Sequence, residues 1–196
     1  KNNILKINVF FLILFISFII FKSHDDFSYY HFPYIYYLTQ SEIVLGIGNF
    51  NHGFRTPSSI FYLNSLFYLP MIKFHFFQIG AILIMGFSCY QFIHLIKKKL
   101  EQNKQDIFFF LYLFFFIFTV VFFYRIAEHG TDRSAQILIF LLIIELLLLI
   151  NFDEDIKERI IKVFIILGLI ISLKSFYVLY LSLRIPVLYY LIIDKK

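Results

Sequence analysis

Long apolar runs separated by short polar stretches dominate the chain and predict a set of membrane-crossing helices. A helix rises 1.5 Å per residue, so about 20 mainly apolar residues cross a hydrocarbon core of about 30 Å. About six segments meet this rule, and they cover residues 4–21, 73–96, 107–124, 134–150, 153–173 and 175–193. Backbone in lipid must pair its own amide and carbonyl groups, so runs of this length form helices. The pattern therefore predicts an all-α fold, a polytopic transmembrane helical bundle.

The stretch between the first two apolar runs, residues 23–57, is neither apolar enough to cross a membrane nor polar enough to be disordered. Pro33 can open a short helix that ends near Leu38, because proline is tolerated at the first helical position. The run Thr56-Pro57-Ser58-Ser59 is typical of a second helix start. Both segments carry many apolar and aromatic side chains, so we expect interfacial amphipathic helices in the first outer loop.

Composition agrees with the apolar pattern. Of 196 residues, 60% are hydrophobic and 16% are charged, and the mean hydropathy of +0.79 is too high for a soluble domain of this size. The net charge is +5, but the basic residues are scattered between apolar runs, which argues against a nucleic-acid partner. The chain begins without methionine and ends just after an apolar stretch. We therefore expect residues 1–196 to be a single transmembrane domain, the N-terminal part of a longer protein.

Lysine and arginine collect on one side of the predicted bundle, and this orients it. With the N-terminus in the cytoplasm, eleven of the 18 basic side chains fall on the inner side and six on the outer side. A multi-pass protein of the cytoplasmic (inner) membrane is expected. The same orientation places residues 24–57, residues 125–133 and Lys174 together on the outer face.

Two adjacent carboxylates, Asp25 and Asp26, follow the first predicted span. One of them can act as a base toward an acceptor hydroxyl, or the two can hold a cation between them. A divalent metal would have Asp25 and His24 as ligands, with His31 as a further donor; apart from that metal no cofactor is expected. The remaining reading is a pair of solvated loop acids, and the sequence leaves all three open.

The second outer loop concentrates charge. Glu128 and Asp132 can face the first-loop carboxylates, because both loops lie on the same side of the membrane. Arg125 or Arg133 can bind an anion at the same level. The alternative is an ordinary solvated connector, since loops commonly collect polar residues.

Four further charges lie at or inside the boundaries of the spans. Lys174 and Arg55 can bind a lipid phosphate, although a boundary lysine can also simply reach toward the interface. Glu145 and Arg184 fall inside apolar segments, where an unpaired charge is costly. At 1.5 Å per residue both lie about 15 Å below the outer boundary. We therefore predict that they form a structural pair between the fourth and sixth helices, with proton or substrate coupling as the alternative.

Three segments carry a resemblance to a known family. The residues HDDFSYY at 24–30, GFRTPSSIFYL at 53–63 and LKS at 173–175 resemble the N-terminal part of GT-C fold membrane glycosyltransferases. That group includes protein mannosyltransferases and lipid A aminoarabinose transferases. The resemblance implies that Asp25 or Asp26 is the base for the acceptor, and that the donor is a polyprenyl-phosphate-linked sugar. The basic residues implied to hold the donor phosphate are Arg55, Arg133 and Lys174.

Two other classes of function remain open at this stage. One is a transporter, a flippase or a polymerase-type polysaccharide protein, which would carry polar residues through its spans. The other is a non-catalytic membrane subunit. All of these proteins would have membrane lipids as partners.

Overall fold

The computed structural model describes residues 2–20, 24–42, 45–71, 73–125, 130–151, 156–185 and 187–188. The α-helices found there are α1 Asn2–Ile20, α2 Phe32–Gln40, α3 Ser59–Ser65, α4 Ile79–Glu101, α5 Ile107–Phe122, α6 Asp132–Asn151 and α7 Ile156–Leu173. Shorter helical segments are the π-helix Phe27–His31 and the 3₁₀ segments Ile47–Asn49, His52–Arg55, Phe74–Phe76 and Ser175–Leu183. These stretches contain no β-strand, so the all-α prediction is confirmed for them.

Within the described residues, two helical stretches are long and apolar enough to cross a membrane by length and composition. They are Phe74–Glu101, with 28 residues, and Asp132–Asn151, with 20 residues. Two further apolar helices, Asn3–Ile13 and Ile107–Phe122, are shorter. The second and fourth predicted spans are therefore supported, and the other crossings stay predictions.

Helix α6 packs along both α7 and α4. The α6 and α7 helices run antiparallel, because Asp132 at the start of α6 bonds Lys174 just past the end of α7. Small and branched side chains from the three helices fill the space between them at close packing. The buried set includes Ala81, Met85, Ala135, Leu142, Val163, Leu167 and Ile170. This arrangement brings the start of α6 and the end of α7 to one end of the bundle.

The turn between α4 and α5 is closed by Asp106. One carboxylate oxygen accepts the amide hydrogen of Phe109 at 3.1 Å and so caps the start of α5. The other oxygen bonds Nζ of Lys99 at 2.5 Å. The hydrogen bond from Lys99 holds the pKa of Asp106 below its usual value. The turn at this end of the bundle is thereby fixed in a tight hairpin.

The first loop folds into a packed cap. Helix α2 has Pro33 in its first turn, and α3 begins after Ser58, whose hydroxyl accepts the amide hydrogen of Ile60 at 3.4 Å. Both short helices predicted from the sequence are therefore present. They are anchored by buried side chains, of which Ile35 and Phe61 are each 1% exposed. The cap is thus part of the core rather than a loose surface loop.

A polar contact ties this cap to α4. The side-chain oxygen of Asn64 accepts the amide hydrogen of Gly80 at 2.8 Å. A β-carbon at position 80 would lie 2.8 Å from Ile60 and 2.9 Å from Asn64, so only glycine allows this approach. The N-terminus of α4 is thereby held directly under α3.

The predicted pairing of Glu145 with Arg184 is wrong. Glu145 instead pairs with Arg159 of α7, at 3.4 Å between Nη1 and Oε2. Both partners lie within about two turns of the α6–α7 connection, so the hairpin itself brings them together. The Arg184 guanidinium lies over the Phe164 ring, 5.5 Å from its centroid.

The segment after α7 also differs from the prediction of a sixth α-helical span. Residues Ser175–Leu183 form a 3₁₀ helix, which rises about 2.0 Å per residue instead of 1.5 Å. The tighter helix changes both the depth and the direction of every later side chain. This difference is one physical reason why the pairing predicted for Arg184 is wrong. The predicted start of the fifth span, at residues 153–155, lies outside the described residues.

Candidate functional site

Asp26 is the member of the acidic doublet that faces the rest of the site. Its charge contributes to the pKa of both Tyr30 and His31. The backbone amide of Asp26 donates to Nδ1 of His24 at 3.2 Å. The same ring nitrogen lies 3.7 Å from the Asp26 carboxylate, and both side chains are exposed.

The start of α6 and the end of α7 meet beside this doublet. Nζ of Lys174 bonds a carboxylate oxygen of Asp132 at 2.8 Å. Asp132 also lies in the first turn of α6, where the helix dipole favours a negative charge. The pair stays partly open to solvent, since the Asp132 side chain is 51% exposed and that of Lys174 is 29% exposed. It is therefore a surface contact that a ligand can reach.

His31 is buried next to these charged side chains, and each of them affects its pKa. The residue is 6% exposed, and its ring lies 4.3 Å from that of Tyr30 and 5.1 Å from that of Phe61. Burial lowers the pKa of His31 to about 4. Of the smaller contributions, Asp26 and Asp132 raise this pKa, and His24 and Lys174 lower it. Three separate stretches of chain thus converge on one neutral imidazole.

Gly130 holds the second loop against this imidazole. A β-carbon at position 130 would overlap the ring of His31, so only glycine fits at this contact. The close approach is what brings Asp132, two residues later, over the first loop.

The lowered pKa of His31 predicts acid sensitivity. In the unfolded chain this histidine binds a proton below pH 6.5, whereas in the folded chain it stays neutral down to about pH 4. The stability that this difference affects is therefore fully present above pH 6.5 and is lost as the pH falls toward about 4. From the pKa difference we expect a loss of about 2 kcal/mol between pH 7.5 and pH 5. Chemical unfolding of the detergent-solubilised protein at the two pH values measures it.

The matched variants are His31→Gln and His52→Gln, the latter at an exposed loop histidine. The first should remove most of the loss of stability at pH 5 and the second should leave it unchanged. An unaltered acid dependence in His31→Gln would show that another group causes it.

An aromatic groove opens on the other flank of the α6 N-terminus. It has a volume of about 430 Å³, and it is lined by Phe118, Phe122, Phe123, Arg133, Gln136, Ile139, Phe140 and Tyr180. Arg133 donates from Nη1 to the carbonyl oxygen of Phe122 at 3.2 Å. Its guanidinium also lies 5.7 Å from the centre of the Phe123 ring. A cation therefore stands in a groove whose walls are mainly phenyl rings.

Two buried polar residues next to His31, Gln78 and Asn64, were not predicted from the sequence to be site residues. Gln78 is 6% exposed, and its side-chain oxygen shares a small cavity with His31 and with Asn64. Within the described part of the chain, neither this oxygen nor Nε2 of His31 has a hydrogen-bond partner. A lone glutamine at the start of an apolar helix was the available signal.

Several predicted site residues are not part of this cluster. Arg55 donates from Nε to the carbonyl oxygen of Gly48 at 3.0 Å and lies along that turn. The Asp25 backbone carbonyl accepts from the hydroxyl of Ser28 at 2.9 Å. Glu128 lies outside the described residues. In the stretches that the structure describes, no three His, Cys, Asp or Glu side chains come together in a way that could hold a metal.

Comparison with known proteins places the chain in a family without indicating a function. No curated protein matches it, and no solved structure does so either. The family model for a domain of unknown function, DUF8201, matches residues 1–196, and the chain belongs to that family.

Proposed function

We propose that this protein crosses the cytoplasmic membrane about six times, with its N-terminus inside, and that it transfers a sugar on the outer face. The donor in this proposal is a polyprenyl-phosphate-linked sugar, and the acceptor is a hydroxyl compound. The resemblance of residues 24–30 and 53–63 to GT-C glycosyltransferases is one support. The other two supports are the apolar side chains on the exposed faces of the helices and the arrangement of charged residues at the α6 N-terminus.

The helices carry apolar side chains on their exposed faces as well as on their buried ones. On α5 these exposed positions recur every three or four residues, at Phe110, Phe114, Ile117 and Val121. On α7 they recur at Ile161, Ile165 and Leu169. Continuous apolar stripes of this length are rare on the surface of soluble proteins and are suited to lipid. These stripes extend the proposed membrane contact to α5 and α7.

The observation that carries the proposed activity is the position of two consecutive residues. Asp132 faces Lys174 and the charges around His31, and Arg133 faces the aromatic groove. The acidic cluster and the aromatic groove that contains Arg133 therefore lie side by side at the N-terminus of α6. A lipid-linked phosphate bound at Arg133 would carry its sugar to the cluster that includes Asp26.

This arrangement suits displacement at an anomeric carbon. Asp26 would take the proton of the acceptor hydroxyl while the hydroxyl oxygen of the acceptor forms the new bond to the anomeric carbon of the sugar. The bond between that carbon and the phosphate oxygen then breaks, and the polyprenyl phosphate leaves with the bonding electrons. Arg133 and Lys174 would stabilise the charge that develops on the departing phosphate.

The test is donor turnover by the purified protein in lipid nanodiscs. A panel of radiolabelled polyprenyl-phosphate sugars is supplied together with an extract of envelope acceptors, and the released polyprenyl phosphate is measured. We expect at least one donor to be consumed with transfer of its label. Failure of every donor to be consumed or to bind would contradict the transferase proposal.

A further inference from the structure

A second groove lies between α4, α6 and α7, toward the end of the bundle remote from Asp26. Its volume is about 560 Å³, within the usual range for a ligand site. Its walls are mostly apolar, with Leu138 and Leu169 among them, and Glu145 and Lys162 also line it. Both charged residues lie within about 10 Å of their helix ends at 1.5 Å per residue. The groove is therefore distinct from the aromatic groove at Arg133.

A buried hydroxyl also lines this second groove. Ser88 on α4 is 1% exposed, and its Oγ has no hydrogen-bond partner among the described residues. A buried hydroxyl normally has a hydrogen-bond partner, so the position of Ser88 on the groove wall suggests that a polar atom of a ligand supplies one. The amide side chain of Gln91, about one turn further along α4, also lines the groove and adds donors and acceptors.

The charges at the groove are balanced. Glu145 pairs with Arg159 at 3.4 Å, and Lys162 pairs with Glu158 at 2.6 Å. The four side chains sum to zero, yet a carboxylate and an ammonium both line the groove. An anionic headgroup would find no net attraction there, whereas a headgroup with both signs would find a partner for each.

Most of the groove wall is apolar and includes Leu83, Phe87 and Leu141, so it suits an acyl chain.

We propose that this groove binds a phospholipid with an ethanolamine headgroup. The ammonium group donates to Glu145, the phosphate accepts from Lys162, and the acyl chains cover Leu138 and Leu169. This binding site goes beyond sugar transfer and rests only on the membrane placement of the bundle. Its charged end, at Glu145 and Lys162, is remote from the candidate site.

The absence of tryptophan from the chain makes a direct test possible. A single tryptophan is introduced as Leu169→Trp, at the edge of the groove, and the matched control is Ile165→Trp, one turn away on the same helix and outside the groove lining. Each protein is placed in vesicles in which either phosphatidylethanolamine or phosphatidylglycerol carries brominated chains, at equal mole fractions. We expect brominated phosphatidylethanolamine to quench the tryptophan at 169 about fivefold more than phosphatidylglycerol does, because its ammonium group forms a charge-assisted hydrogen bond with Glu145, whereas the glycerol headgroup offers only neutral hydroxyl donors.

Two further comparisons make the test decisive. The tryptophan at 165 should be quenched by both lipids equally, which reports membrane placement alone. In the Leu169→Trp background, Glu145→Gln should remove the preference, because it removes the charge that the ammonium group pairs with, and Glu101→Gln, at an exposed carboxylate of α4, should keep it. Equal quenching at 169 by the two lipids, or stronger quenching by phosphatidylglycerol, would overturn the lipid site. Loss of quenching at 165 would overturn the membrane placement itself.

Discussion

Asp26→Asn is expected to lower the rate of sugar transfer by about 10²- to 10⁴-fold, the usual contribution of a general base. The substitution keeps the shape of the side chain and removes its ability to take the acceptor proton. Asp26 is the member of the doublet whose charge reaches His31 and Tyr30. The rate of polyprenyl phosphate release at saturating donor measures the effect.

The neighbouring Asp25→Asn is the matched control, because Asp25 is an exposed carboxylate on the same turn. We expect its turnover to stay within about threefold of the wild type, as for a change at a solvated acid. Normal turnover in Asp26→Asn would remove the base assignment. A large loss in Asp25→Asn alone would move that role to the other carboxylate.

Reversal of either charge in the pair of Glu145 and Arg159 is expected to abolish most of the folded protein. The two side chains are 12% and 20% exposed, so a single reversal leaves two like charges together with little water. Breaking a buried pair costs about 3–5 kcal/mol, and a reversal costs at least as much. The whole stability of a domain is about 5–15 kcal/mol. Folded yield after detergent extraction, measured by size exclusion, reports the loss.

The double reversal Glu145→Arg with Arg159→Glu should recover a large part of the yield. The control is Glu145→Arg with Arg184→Glu, which should remain as poor as the single reversal, because Arg184 packs on Phe164 instead. Recovery through position 184 and none through position 159 would contradict the observed pairing.

The pattern of apolar runs was enough to predict the helical class and the helices of the first loop. Pro33 and Ser58 mark the starts of α2 and α3 through local chemistry that needs no tertiary information. The approach of Asp132 to Lys174 was also predictable in outline, because the predicted alternating topology puts both at the same end of neighbouring helices. For these elements the cause is local, or depends only on the antiparallel order of neighbouring helices.

The features that could not be predicted depend on packing. Depth alone suggested Arg184 as the partner of Glu145, but depth does not say which neighbouring helix faces the carboxylate. The hairpin rule, that residues at similar distances from a turn meet, would have pointed to Arg159. The burial of His31 follows from the contact with Gly130, and no sequence pattern encodes that contact.

In the proposed site a phosphate-linked lipid binds with its phosphate at Arg133 and its chain along the phenyl rings of α5 and α6. Photolabelling of the protein in nanodiscs by polyprenyl phosphate with a diazirine near the phosphate, followed by peptide mapping, tests this placement. We expect labels within residues 118–123 and 133–140, reduced about tenfold in Arg133→Gln but not in Arg125→Gln, because one charged phosphate contact is lost. Labels spread along α1 and α7, or equal labelling of these groove segments in equally folded Arg133→Gln, would contradict it.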